Sequence, residues 1–146
     1  MAVAVKKITL WRREIEDRSG ALATVLEPLA YAKADLQIVM GYRHPGDARK
    51  AAIEVYPVSG RKSAAAAQTA GLAAAGIPTL LVQGDNRPGL GQAFARAIAD
   101  AGINMGFLVA LVLGRKYSSV IGFDSEADAT KAATLIKRTA TAKKKK

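Results

Sequence analysis

An apolar run, Leu80-Leu81-Val82, leads straight into Asp85-Asn86-Arg87-Pro88-Gly89, and an amphipathic segment leads straight out of it. That segment carries Leu90, Phe94, Ala97, Ile98 and Ala101 at spacings of three and four, which is the period of one helix face. Gly102-Ile103-Asn104-Met105 then opens a second apolar run. Strand, tight turn, helix and strand in so short a stretch confine the fold to mixed α and β structure.

The same order occurs upstream. Lys7 to Glu14 reads as a strand with Ile8 and Leu10 on one face, and Glu16-Asp17-Arg18-Ser19-Gly20 turns the chain. A helix follows with Leu22, Val25, Leu26 and Leu29, and Pro28 predicts a bend or local break in it. Leu36–Tyr42 and Ala52–Val58 read as strands, joined by the turn His44-Pro45-Gly46-Asp47. Residues 62–75 are alanine-rich and predict a helix closed by Gly76. The second pass predicts strand 79–83, helix 90–101, strand 103–113, strand 117–123 and helix 125–139, the last capped by Asp124 or Ser125. Strand 79–83 is also available as the last strand of the first pass. Arg18-Ser19-Gly20 stands against Arg87-Pro88-Gly89, as an internal duplication requires. The fold class expected is α+β: a ferredoxin-like βαββαβ unit repeated twice, with antiparallel sheets and helices on one face. The first repeat is expected over residues 5–76, the second over 77–140, and a disordered basic tail over 141–146.

Strand 103–113 is apolar on both faces, with Met105, Phe107, Val109 and Leu111 alternating with Leu108, Ala110 and Val112. A sheet with one wet face shows polar residues at alternate positions. The other repeat or a second chain is therefore expected to cover it, and a homodimer is the expected assembly.

The Asn86-Arg87-Pro88-Gly89 loop, the Gly102-Ile103-Asn104-Met105 strand start and the repeated topology resemble the ACT domain, a regulatory module that binds amino acids. Residues 78–138 closely resemble the serine-binding ACT domain of phosphoglycerate dehydrogenase. The resemblance implies that Asn86 and Asn104 contact an effector. In that family a histidine stands two residues before the first asparagine; here it is Gly84, which would leave space and leaves the ligand's side chain open. The resemblance also implies ligands lying between two ACT units.

The chemistry of these residues suits a zwitterion. The first turn of a helix offers unpaired backbone N–H groups and a favourable dipole to a carboxylate. Gly89 and Leu90 stand there, Pro88 stiffens the entry, and Asn86 and Asn104 offer amide oxygens to an ammonium group. As the end of one strand and the start of its expected neighbour, the two asparagines are expected to converge. The candidate ligand-binding set is Asn86, Arg87, Pro88, Gly89, Leu90, Asn104 and Met105, with Asp17, Ser19 and Gly20 in the first repeat. Asp17 either pairs with an ammonium or caps the following helix. The competing reading of the main loop is an ordinary strand-to-helix turn in which Asn86 only caps backbone groups. Trp11, Tyr42 and Tyr56 read as packing residues.

No nucleophile with a paired base and no cluster at metal-ligand spacing occurs, and cysteine is absent. No catalytic residue, metal or cofactor is therefore expected. The net charge of +10 includes Lys143 to Lys146, and without these it is +6 (10 − 4). No aromatic run of the RNA-recognition type is present, so nucleic acid is a disfavoured partner. No apolar run is long enough to span a bilayer and no signal core is seen, so a cytoplasmic protein is expected. The expected function is that of a non-catalytic sensor of a small amino acid, acting on its own assembly or on a separate enzyme chain. The alternatives are a ligand-free dimerisation or docking module and, less favoured, a nucleic-acid-binding domain.

Overall fold

A computed structural model of the chain describes residues 3–142. The order is β1 (Ala4–Ile8), β2 (Trp11–Glu16), α1 (Ala21–Tyr31), β3 (Ile38–His44), β4 (Asp47–Tyr56), α2 (Gly60–Thr69), β5 (Ala73–Ala74), β6 (Thr79–Asp85), α3 (Leu90–Asp100), β7 (Met105–Leu113), β8 (Lys116–Phe123) and α4 (Glu126–Thr141). The strands form two four-stranded antiparallel sheets, ordered β1-β6-β8-β7 and β3-β4-β2-β5. Each sheet belongs to its own compact unit. Thr9–Gly76 is one unit, and the segment ending at Ile8 joins the segment starting at Ile77 to make the other.

In the latter unit, Leu80, Val82, Ile121 and Phe123 of the sheet close on Leu90, Phe94 and Ile98 of α3 and on Ala129, Ala132 and Ile136 of α4. In the inserted unit, Ile53 and Val55 of β4 meet Val25 and Leu29 of α1 and Ala67 of α2. Both helices of each unit thus lie on one face of its sheet, as the α+β reading requires. Fully burying a Leu, Ile, Val or Phe side chain contributes about 1.5–3 kcal/mol, so these clusters set the helix positions.

Several expectations are corrected. The strand expected over Lys7–Glu14 is two strands in two sheets, since β1 pairs with β6 and β2 pairs with β4. Ile8 and Leu10 are both buried, so the period of two runs unbroken across the junction and only the pairing reveals it. Residues 5–8 accordingly belong with β6, and the inserted unit begins at Thr9. β6 is not shared with the other sheet, whose fourth place is taken by β5 alongside Trp11 and Arg12. The helix expected over 62–75 is Gly60–Thr69. Gly71, at φ +77°, leaves the helix, and Ala73–Ala74 find strand partners that outweigh alanine's helix propensity. α1 continues through Pro28, because proline removes only one donor and Val25 and Leu29 on either side are held in the core. Thr141 closes α4, so the expected basic tail does not start there; Lys143–Lys146 lie outside the described residues. The expected cap is present, with Ser125 Oγ accepting from the Asp128 N–H at 3.1 Å.

β7 is an edge strand. Its outer residues are open on both faces, with Leu108 51 % and Leu113 79 % exposed. Near its start Phe107 lies over Gly122 of β8, where a Cβ would fall inside the Phe107 ring. Gly122→Ala should therefore lower stability by about 1–3 kcal/mol through overpacking. Urea unfolding of Gly122→Ala, Phe107→Ala and the double variant checks this. The two losses should be strongly non-additive, and simple additivity would show that the ring does not need the bare glycine.

Candidate functional site

The two strand-to-helix loops have the same backbone construction. Gly89 precedes α3 at φ +84° and Gly20 precedes α1 at φ +83°, a left-handed conformation that glycine adopts without steric cost. The Leu90 N–H donates to the Arg87 carbonyl at 3.3 Å and the Ala21 N–H to the Arg18 carbonyl at 3.2 Å. The Ala93 N–H reaches the Gly89 carbonyl and the Thr24 N–H the Gly20 carbonyl, each at 3.0 Å. Upstream, the Asn86 N–H donates to Arg115 and the Asp17 N–H to Arg49, each at 2.8 Å. Neither helix has a side-chain cap, and neither carries an acidic residue in its first turn. Neither Asn86 nor Asp17 is therefore the capping side chain that the simple-turn reading supposes. The Asp17 carboxylate instead accepts from Arg43 Nε at 2.6 Å.

In the main loop Asn86, Pro88 and Gly89 are exposed, Arg87 is half-buried and Leu90 is buried. Asn104 is exposed, and Met105 packs against the core. In the inserted unit Asp17, Ser19 and Gly20 are all exposed. The asparagines do not converge within the unit. β8 separates β6 from β7, and Asp85 pairs with Lys116 at one end of the sheet while Met105 pairs with Phe123 at the other. The seven residues of β6 put these ends roughly 20 Å apart at about 3.3 Å per residue. The reason is topological: β6 and β7 run parallel with an antiparallel strand between them, so the end of one and the start of the other face opposite ways.

The space expected beside Gly84 is filled. A Cβ on Gly84 would stand 3.0 Å from Tyr117 Oη and 3.1 Å from its Cε1, so the phenol of β8 occupies the volume that a larger residue would take. Sequence reasoning missed this pair because the partners are 33 positions apart and meet only through the β6–β8 register, where Gly84 lies opposite Tyr117. At the loop edge, Lys116 contacts Asp85 and holds its carboxyl at about 2, below the usual range.

A polar cluster on the inserted unit's sheet was also missed. Glu54, 1 % exposed, accepts from Tyr42 Oη at 3.2 Å, and Arg12 Nε lies 3.8 Å from its other oxygen. Arg12 Nη1 also donates to Glu14 at 3.2 Å, and His44 Nε2 stands 3.5 Å from the same Glu14 oxygen. These residues meet through strand register, with Arg12 and Met40 both opposite Glu54. Tyr42 thus has a hydrogen-bonding role beyond packing, while Trp11 packs against the core. Among the described residues no group of three His, Cys, Asp or Glu side chains is placed to hold a metal ion, and no helix is long and apolar enough to cross a membrane.

No protein-family model matches the chain, and no curated protein matches it. Solved structures do. A protein from Bacteroides thetaiotaomicron superposes with a TM-score of 0.72 at 15% identity, over 89% of this chain and 88% of that one. The regulatory subunit of aspartate kinase from Thermus thermophilus, in its ligand-free form, gives 0.63 at 18% identity over 97% and 98%. The corresponding subunit from Thermus flavus gives 0.57 at 19% over 95% and 97%. The chain thus has the tandem fold of aspartate kinase regulatory subunits, in agreement with the resemblance to paired ACT domains.

Burial raises the Glu54 carboxyl above its usual range, against the opposing effects of the Tyr42 hydrogen bond and the Arg12 charge. A raised folded-state value means that Glu54's contribution to stability is fully present below the unfolded pKa and is lost as pH rises through the folded one. Glu54→Gln should remove that component. Urea midpoints measured from about pH 4 to pH 8 should fall less with rising pH in the variant than in the parent. Parallel profiles would show that Glu54 does not titrate in this way.

Proposed function

We propose that this chain is a non-catalytic regulatory module that binds a small amino acid at the Asn86–Leu90 loop and acts through self-association or on a separate enzyme chain. The observation that carries this reading is the first turn of α3. It starts at a left-handed glycine, without a side-chain cap or a carboxylate, and Asn86 stands beside it. Such a turn presents backbone donors and a positive dipole end to a ligand carboxylate.

Asn104 belongs to the same site only if a second copy supplies it. β7 offers the means: nine residues without charge or proline, on a sheet edge, with exposed side chains on both faces. Such an edge is a template for another strand. Antiparallel pairing of β7 with β7 of a second copy is self-complementary about a two-fold axis. It would place Met105 of one copy beside Leu113 of the other, bringing the partner copy's Asn104 to the sheet end that carries Asn86. A ligand held there favours the paired state, and through that linkage binding becomes a signal. The aspartate kinase regulatory subunits of the same fold support a regulated enzyme as partner, and a cytoplasmic location fits this reading. The exposed β7 also fits a second reading, a docking module without a ligand.

Thermal unfolding against each of the twenty amino acids at millimolar concentration tests the proposal. A ligand at a hundred times its Kd stabilises the fold by about 2.7 kcal/mol, so one or a few amino acids should raise the Tm. Asn86→Ala and Asn104→Ala should each sharply reduce the shift. Mixing the two variants should restore part of it, because each mixed dimer has one intact pair. A flat panel would leave only the docking reading. A shift that mixing fails to restore would sink the shared site.

A further inference from the structure

A cavity of about 430 Å³ lies within the unit that holds α3 and α4, lined by Gly84, Asp85, Arg87, Leu90, Tyr117 and Thr141 among others. Its size falls within the roughly 300–1,000 Å³ of small-molecule sites. Neither Asn86 nor Asn104 lines it, whereas Arg87 and Leu90, grouped with them from sequence, do.

Tyr117 is only 7 % exposed, and its ring packs edge-on against Phe94 with centroids 6.0 Å apart. Its Oη is buried without a hydrogen-bond partner. Packing alone explains the ring but not the hydroxyl, since phenylalanine would fill the same volume and leave no orphaned polar atom. Burial raises the phenol's pKa, against the opposing charge of Arg87, so the group is a neutral donor at ordinary pH. The Arg87 guanidinium carries five N–H donors, and its Nη1 makes a long contact, 3.5 Å, to the Ala140 carbonyl. The opposite charge also lines the cavity. Asp85 is there, already paired with Lys116, and so is the last turn of α4, whose carbonyl end is the negative pole of the helix. Donors and acceptors are thus both present, as a zwitterion requires.

We propose that this cavity is a second small-molecule site, separate from the Asn86–Asn104 pair, which takes the carboxylate of a small amino acid between the Tyr117 hydroxyl and the Arg87 guanidinium. The ammonium group faces the carbonyl end of α4. Only the choice of ligand class rests on the preceding reading; the site itself does not.

The chain has four tyrosines, so ring-labelled tyrosine gives few NMR signals, and Tyr117→Phe assigns the one that matters. The intact protein is titrated with acetate and with each of the twenty amino acids. The Tyr117 signal should move on binding of at least one of them, and should still move in Asn104→Ala. In the Asn104→Ala background, Tyr117→Phe should weaken that ligand at least tenfold, read by ligand-observed NMR, while matching or exceeding the background variant in Tm. Gly84→Ala, which crowds the phenol, should weaken it similarly. A Tyr117 signal unmoved by every probe overturns the proposal. So does a response that vanishes in Asn104→Ala, which would make Tyr117 a reporter of the shared site only. Undiminished affinity on adding Tyr117→Phe to that background overturns it too.

Discussion

Pairing between Ala4–Ile8 and Thr79–Asp85 is the constraint on which the rest of the architecture depends. It completes the sheet behind α3 and α4, and it makes Thr9–Gly76 an insertion between two neighbouring strands. The insertion must leave and return at nearly the same place. The Ala75 N–H accordingly donates to the Leu10 carbonyl at 2.7 Å, with β5 held against β2 beside it. What reads along the chain as two successive repeats is, by strand pairing, one unit inserted in the chain between two paired strands of the other. This arrangement follows from backbone hydrogen bonds, which have no signature in residue type.

The inserted unit repeats the loop geometry of its host but not its electrostatics. Asn86 is neutral and exposed, whereas its counterpart Asp17 is charged and engaged by Arg43. A carboxylate approaching α1 meets that ion pair, while one approaching α3 meets an amide. The backbone of the strand-to-helix loop occurs twice, and the side-chain chemistry that would make the two equivalent does not. The buried Glu54 cluster is a further difference, since the corresponding sheet of the host unit carries no buried carboxylate among its described residues.

Features that were legible in the sequence are those written in local spacing. The helix faces of Leu90, Phe94 and Ile98 and of Val25 and Leu29 follow from their period, and all five residues are buried. Ser125 announces α4 by its type, and Gly20 and Gly89 mark matching turns because each needs a left-handed backbone. Features that were not legible depend on distant register. The junction after Ile8 is hidden because alternation continues through Leu10, and the run of alanines past Thr69 reads as helix until β2 offers strand partners. The separation of Asn86 from Asn104 needs the knowledge that β8 lies between their strands. Tyr117 is invisible as a cavity residue until the register sets it against Gly84.

The insertion also orders events in time. Ala4–Ile8 leaves the ribosome before any of the inserted unit, yet its partner β6 follows only after that unit is complete. Loop closure across so long a stretch is slow and entropically costly for an unfolded chain. Once Thr9–Gly76 has folded, its joined ends hold the early strand near the place where β6 will emerge. The inserted unit thus serves as a template that shortens the effective loop, so that its sequence helps set the folding rate of a sheet in which none of its residues takes part.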